Sequence, residues 1–292
     1  MIEGPAIGEL IKLLERRGVS LFHACQYTDF LTYLRLGGVP SRALLEQRRK
    51  SFTAFETDVH DRVNGVWDKV FVNLADFGHF FATGHASVPN AFGPIVLQLR
   101  PDVLGEAEDV AVCRRSAGAS SFNREREALQ RVEEIDGLFL NPYDVGFPRS
   151  IVLKNNSHLT PQVGSGVPEI SCSVADGFLP LNYVVVVWVD PYILGGRSLR
   201  DWVQEALDQA GIELRLWERH CWSNRRLLYD ELLSLLHVST PTLQSLAGDR
   251  SCSEALRSWA VAVRDRGLEY QFRRYCRYLV EGTIRPLSSH SA

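Results

Sequence analysis

Leu21-Phe22-His23-Ala24 is a short apolar strand carrying one histidine, and the basic segment that begins Gly37-Gly38-Val39-Pro40-Ser41-Arg42 lies a little further on. Far downstream, Glu169 closes a polar, glycine-bearing stretch and opens the alternation Ile170-Ser171-Cys172-Ser173-Val174. Alternation with a period of two marks a strand with two unlike faces. Within the first strand this phase predicts that Phe22 faces the core and His23 the opposite side. Ahead of it, Ile7, Leu10, Ile11 and Leu14 recur at helical spacing, with Gly18 placed to end the helix. Asp29 to Leu36 reads as a second helix stopped by Gly37-Gly38, and Ser41 as the N-cap of a third from Ala43 to Arg49. Asp76 to Ala82 gathers Phe77, Phe80 and Phe81 into a helix-like turn.

Further strands are expected over Val66 to Asn73, Ile95 to Leu99, Arg149 to Leu153 and Leu181 to Val189. The last is so rich in valine that it should be central and buried on both faces. Arg124 to Glu134 reads as a charged surface helix, and Asn155 to Pro168 as a long polar loop of the kind more often functional than idle. After Asp190 the pattern turns helical, over Leu199 to Ala210, Arg225 to Leu236 and Glu254 to Leu279, with a frayed tail from Pro286 to Ala292. The expected class is therefore α+β, with a strand-rich part over 1–190 and a helical C-terminal extension over 191–292 packed on it.

Bulk properties bound the function. The chain has 292 residues, 45% hydrophobic and 23% charged, enough for a substantial core in an ordinary globular protein. A net charge of −3 restricts any nucleic-acid contact to a local patch. The cysteines at 25, 113, 172, 221, 252 and 276 form no C-x-x-C pair and no zinc spacing, so they read as reduced thiols. No metal is expected. With no long apolar run and no signal-like opening, a cytoplasmic protein without membrane contact is expected. No G-x-G-x-x-G follows a strand, which argues against hydride transfer, and G-x-S-x-G is absent, which weakens a hydrolase. His79 and His85 lack the companion carboxylate that a zinc site would need.

A strand histidine, a basic segment and a late glutamate at the lip of a strand, in that order, resemble the DarT-like ADP-ribosyltransferase toxin family, which modifies nucleic acid. The pieces that carry the resemblance are L-F-H, G-G-V-P-S, W-D-K-V-F-V-N, F-G-P-I-V-L and a glutamate strand followed by L-P-L-N-Y-V. They span roughly Leu21 to Val189. The resemblance implies a split β-sheet core with flanking helices, and NAD as co-substrate. It also implies transfer of ADP-ribose to a base of single-stranded DNA or RNA, in a toxin or phage-defence role. A cognate antitoxin, either a macrodomain hydrolase or a direct inhibitor, would accompany such a role. Superfamily members that modify arginine or asparagine carry glutamine or glutamate two residues before the catalytic glutamate. Here that position is Val167, which favours the base-modifying branch.

Cleaving the bond between nicotinamide and ribose builds positive charge on the sugar, and a preorganised carboxylate facing that charge stabilises it. Glu169 is placed for this, although a solvated glutamate at a strand start is the plainer reading. The resemblance gives His23 the nicotinamide ribose and the adjacent amide to hold, where a structural strand histidine is the alternative. It also implies an arginine in the basic segment as pyrophosphate clamp; Arg48 and Arg49 are the candidates, with Arg49 preferred, since guanidinium suits bidentate phosphate contacts. Phe71, Asn73, Phe80 and Phe81 resemble the strand and helix that floor the nicotinamide pocket, with ordinary core packing the alternative for the aromatic residues. Asn155, Asn156, His158 and Gln162 offer hydrogen bonds to an unstacked base beside Glu169. Phosphate contacts are expected from Arg219, Arg225 and Arg226, and from Arg273, Arg274 and Arg277, which interleave with Phe272, Tyr275 and Tyr278. An amphipathic helix with its aromatic residues in the core is the alternative for the second cluster. The competing functions are a transferase acting on a protein side chain and a non-catalytic binding module that retains the fold.

Overall fold

A computed structural model describes residues 1–76, 93–114, 116–118, 122–139, 168–194, 196–220 and 223–289. In chain order the strands are β1 (Ile2–Glu3), β2 (Leu21–Cys25), β3 (Gly38–Pro40), β4 (Val70–Asn73), β5 (Ile95–Leu99), β6 (Asp109–Cys113), β7 (Glu169–Ser173), β8 (Phe178–Pro180), β9 (Val184–Val189), β10 (Ile193–Leu194), β11 (Arg197–Ser198) and β12 (Leu216–Glu218). The helices are α1 (Pro5–Arg17), α2 (Tyr27–Leu36), α3 (Arg42–Gln47), α4 (Asp58–Val63), α5 (Arg124–Glu127) and α6 (Val132–Asp136). They continue with α7 (Leu199–Ala210), α8 (Ser223–Val238), α9 (Leu243–Gly248), α10 (Glu254–Asp265), α11 (Glu269–Leu279) and α12 (Arg285–Ser289). The class is α+β.

Eight strands form one sheet in the order β1-β6-β7-β4-β2-β5-β9-β12. Its neighbours are antiparallel except β9 and β12, which run parallel with Trp217 opposite Trp188. A parallel pair needs a crossover, and α7 supplies it. One face is apolar: Val110 and Val112, Ile170 and Cys172, Val70 and Val72, Leu21 and Cys25, then Ile95, Leu97 and Leu99 are all buried. Among β6, β7, β4, β2 and β5, that face carries a single polar residue, His23. Leu10 and Leu14 of α1, Phe30 of α2 and Val203 and Leu207 of α7 belong to the same core, as do Leu232, Trp259 and Phe272 further on.

The phase expected for β2 is therefore reversed. His23 shares the core face with Leu21 and Cys25, while the half-buried Phe22 takes the other face. Two apolar neighbours of one histidine did not discriminate between faces; the burial of Leu21 and Cys25 does.

Helix stops follow the sequence. Gly18, Gly37 and Gly211 close α1, α2 and α7 in the left-handed conformation that glycine adopts without strain. Ser41 caps α3, its hydroxyl oxygen accepting from Leu44 N at 3.2 Å. Five expectations are corrected. The strand over 181–189 begins only at Val184, after a 3-10 turn over Leu181–Tyr183, and the helix over 254–279 divides into α10 and α11 at Gly267, whose φ is 71°. The strand over 66–73 begins only at Val70, because Val66 is drawn into a small separate cluster with Ala111 and Phe122. The surface helix over 124–134 is broken: Ala128 bridges Cys113, and Arg124 is buried, bonding Ser171 Oγ at 2.8 Å and pairing with Asp109. The tail is helical as far as Ser289, in α12, where Leu287 is buried, and residues 290–292 lie outside the described residues. The segments expected at 76–82 and 149–153 fall mostly or wholly outside the described residues.

Between α11 and α12, Val280–Ile284 form a π-turn that docks beneath α2. Thr283 Oγ1 donates to Gln26 Oε1 at 2.8 Å and accepts from Tyr27 N at 3.2 Å. The approach requires glycine at 282, since a Cβ there would lie 2.5 Å from Gln26 Cβ and 2.7 Å from Thr53 Oγ1. The C-terminal helices thus brace the segment that carries the candidate site.

Candidate functional site

The sheet is nearly severed at its middle. β2 pairs with β5 through five residues, Leu21 to Cys25, yet meets β4 through Phe22 and Asn73 alone. Beyond that pair the two strands share no register partners, and a buried carbonyl left unpaired there would be costly. His23 resolves this. Its Nδ1 lies 2.7 Å from the Phe71 carbonyl oxygen, an acceptor only, so the proton sits on Nδ1 and Nδ1 donates. Nε2 then accepts from the Tyr33 hydroxyl at 3.1 Å. Burial pulls the His23 pKa down to about 4; the bond to Phe71 opposes this, the Arg42 charge lowers it further and Asp29 raises it. Burial likewise holds the Tyr33 hydroxyl protonated, as the donor role demands. His23 is a neutral bridge across the split.

Arg42 enters from the first turn of α3, placed there by the strand β3 and the Ser41 cap. Its guanidinium lies 4.8 Å from the ring centroid of Phe52 and 5.3 Å from that of Phe55. Nη1 is 3.6 Å from Asp29 Oδ1, and Nε is 3.9 Å from Asp58 Oδ1. Asp29 is itself held, accepting from Thr53 N at 2.9 Å and Gln26 N at 3.3 Å. Arg42 Nη1 is buried without a hydrogen bond among the described residues. A cation fixed by aromatic faces and long ion pairs retains directional donors for an anionic ligand.

Glu169 opens β7 between two strands, opposite Asn73 of β4 and Cys113 of β6. Its carboxylate is oriented by a turn after β6: Ala117 N donates to Oε1 at 2.7 Å and Ser116 Oγ to Oε2 at 3.1 Å. Burial pushes its pKa up to about 7, against the pull of those two bonds and with a further push from Asp61. Asp61 is itself raised to about 6, by burial first and then by Asp58, while Arg42 opposes. A carboxylate held by two donors, partly withdrawn from water and poised near neutrality can face a developing cation or accept a hydroxyl proton.

The expected site residues are distributed unevenly. His23, Phe71, Asn73 and Glu169 fall on the neighbouring strands β2, β4 and β7, His23 on the core face and the other three on the opposite face: Asn73 pairs with both Phe22 and Glu169, and Phe71 gives its carbonyl to His23. Both ring nitrogens of His23 are engaged within the protein, so a ligand would have to compete for them. Arg48 and Arg49 stand exposed past the end of α3, where Arg49 adopts a left-handed φ of 49°. Neither makes an ion pair among the described residues, and neither stands in the Asp29–His23 environment that Arg42 shares. Phe80, Phe81, Asn155, Asn156, His158 and Gln162 lie outside the described residues.

The arginine clusters expected to bind phosphate are largely committed elsewhere. Arg219 is 3% exposed, pairing with Asp190 and, through Nη2 at 3.0 Å, with both oxygens of Asp76. Arg226 faces Glu218 at 3.6 Å. On α11, Phe272, Tyr275 and Tyr278 are core residues, which is the amphipathic alternative. Arg274 and Arg277 approach Glu56 at 3.8 and 3.0 Å, and Arg273 approaches Glu269 at 3.2 Å. Tyr278 also accepts from Glu56 N at 2.7 Å and packs edge-on against Phe55 at 4.7 Å. This face of α11 fixes the loop that lays Phe55 over Arg42.

Reading the sequence missed Arg42, Tyr33, Asp61 and Ser116. The Ser41 cap was a usable signal for Arg42, since it puts that residue in the first turn of a helix leaving a strand. Ser116 and Asp61 had none, because they meet Glu169 only through tertiary contact. Among the described residues no group of His, Cys, Asp and Glu is placed to hold a metal, and no helix is long and apolar enough to cross a membrane.

No family model and no curated protein matches the chain. Among solved structures it is similar to Thermus sp. 2.9 DarT in complex with ADP-ribosylated ssDNA, at 13% identity over 70% of this chain and 95% of that one, with a TM-score of 0.43. It is similar also to Thermus sp. 2.9 DarT in complex with NAD+, at 12% identity over 68% and 94%, with a TM-score of 0.39.

Proposed function

We propose that this chain is an NAD-dependent ADP-ribosyltransferase that transfers ADP-ribose to a base of single-stranded nucleic acid. The observation that carries the reading is the pairing of Glu169 with the sheet split. A carboxylate oriented by Ser116 and Ala117 lies beside Asn73, the residue through which β4 meets β2, and His23 bridges the same gap from the core face. A nicotinamide ribosyl group lying at this split would place its developing positive charge beside Glu169, and the ionised form of that residue would stabilise it. Arg42, rather than the exposed Arg49, is the cation suited to the pyrophosphate. His23 orders the floor of the site and, being neutral, adds no charge against the oxocarbenium-like sugar. The division into a transferase part over 1–190 and an extension over 191–292 belongs to the same reading, corrected in that the extension is not wholly helical: it adds β12 to the edge of the main sheet, while its later helices brace the Arg42 loop. A toxin or phage-defence role, with an antitoxin as partner in the cytoplasm, is the biological setting such chemistry fits.

The test is incubation with labelled NAD against separate pools of single-stranded DNA, RNA and protein, followed by mass analysis of the labelled acceptor. Label on a nucleobase supports the proposal and distinguishes DNA from RNA. Label confined to protein favours the protein-modifying alternative. No label and no nicotinamide release would favour a binding module.

A further inference from the structure

The face of the sheet opposite the core carries a connected row that leads from an exposed edge to Glu169. At the edge, Trp217 of β12 packs edge-on against Trp188 of β9, with centroids 5.1 Å apart, and remains 50% exposed. Trp188 is locked in orientation, its Nε1 donating to Gln98 Oε1 at 2.8 Å. Gln98 lies opposite Phe22, Phe22 opposite Asn73, and Asn73 opposite Glu169. Residues directly opposite one another share a face, so all of these side chains lie on the same side of the sheet. Five inter-strand steps separate β12 from β7, roughly 24 Å at about 4.8 Å per step. Arg215, exposed and just ahead of β12, precedes Trp217 by two residues and falls on the same face by strand alternation.

We propose that Trp217, Trp188 and Arg215 form a docking platform for single-stranded nucleic acid that delivers the strand along this face toward Glu169. The proposal rests on the transferase reading for its direction, but not for the binding itself. The chemistry selects the occupant. An indole with half its surface in water, held rigid by a second indole, offers a stacking face that any base can use, and the neighbouring guanidinium suits the backbone phosphate. The rest of the row is mixed, with Phe22 set between the polar Gln98, Asn73 and Glu169, which suits bases and backbone better than a lipid surface or an apolar helix. Continuity with the candidate catalytic carboxylate gives the track an end point. A single strand fits better than a duplex, since its bases are free to stack.

The test is fluorescence anisotropy with a labelled oligothymidylate of about twelve nucleotides, within the range of single-strand sites, measured without NAD. Trp217→Ala is expected to weaken binding by about tenfold or more, the scale of one lost base–aromatic stack. Trp217→Phe, which keeps a ring, is expected to restore most of it. Arg215→Ala should lower the slope of affinity against salt by about one phosphate contact, while Trp217→Ala leaves that slope unchanged. Wild-type protein that does not bind the oligonucleotide, or Trp217→Ala and Trp217→Phe that both bind like wild type, would overturn the platform. Because NAD is absent, the two ideas separate. Trp217-dependent binding in a protein that never cleaves NAD sinks the transferase reading alone, and NAD-dependent labelling that ignores Trp217 sinks the platform alone.

Discussion

His23 and Phe71 are joined by a side-chain-to-backbone bond of 2.7 Å where the strands that carry them have stopped pairing. The imidazole stands in for register that β2 and β4 do not share, and protonation would leave that bond in place while costing Nε2 its bond from Tyr33 and placing a charge in a buried site. The buried, neutral ring is thus a condition of the fold at the split, whatever ligand the split receives.

That condition makes stability pH-dependent. A histidine ordinarily titrates near 6.5 and here near 4, so between those values the unfolded chain takes up a proton that the folded chain refuses. Its stabilising share is complete above pH 6.5 and is lost as pH falls toward 4, a change on the order of 3 kcal/mol. Urea unfolding at pH 7 and pH 4.5 should show wild type losing more stability than His23→Asn. Equal losses in the two proteins would remove His23 as the cause.

Glu169 has the opposite displacement. Its carboxyl rises from 4.5 to about 7, so its ionisation costs stability as pH climbs through that window and costs nothing below it. Catalysis has the reverse need, because only the ionised form faces a cation. We expect kcat/KM for NAD cleavage to rise with pH along a limb centred near 7. Glu169→Gln should lower the rate by about a hundredfold or more, with a thermal transition at pH 8 no lower than that of wild type. A flat profile between pH 5.5 and 8, or a collapsed transition in the variant, would contradict this.

The two basic candidates separate in one experiment. Arg42→Ala should raise KM for NAD by about tenfold or more, the scale of a lost charge-assisted contact. Arg49→Ala, on the exposed end of α3, should change it less than about twofold. The reverse order would return the phosphate role to the helix end.

Arg219 gives a prediction about folding rather than chemistry. Two carboxylates, Asp190 and Asp76, converge on one buried guanidinium. Burial still lifts the Asp190 pKa to about 6, although Arg219 pulls it down. Arg219→Met removes the cation that the described residues supply to this group and should cost about 3–5 kcal/mol in chemical denaturation at pH 7. The penalty should shrink as pH falls through 6 and Asp190 accepts a proton; a penalty independent of pH would argue that lost packing, not stranded charge, is responsible.

Periodicity by itself determined the elements whose pattern is local. The spacing of Leu10 and Leu14 before Gly18, the alternation of Glu169 to Ser173 and the valine run through Val189 each specify an element, because helix and strand repeats are written in adjacent residues. The same alternation placed Glu169 at the lip of a strand. Tertiary structure decided what those elements do to one another. The order of strands, the single Phe22–Asn73 contact and the bridge from His23 join residues tens of positions apart, and no window of sequence records a register between distant segments. The choice of arginine was decided likewise. Arg42 and Arg49 belong to one basic segment, but only folding brings Asp29, Phe52 and Phe55 around the first and leaves the second in water. Burial gives Glu169 and His23 their displaced pKa values, and burial is a property of everything packed around a residue, which its own neighbours in the chain do not fix.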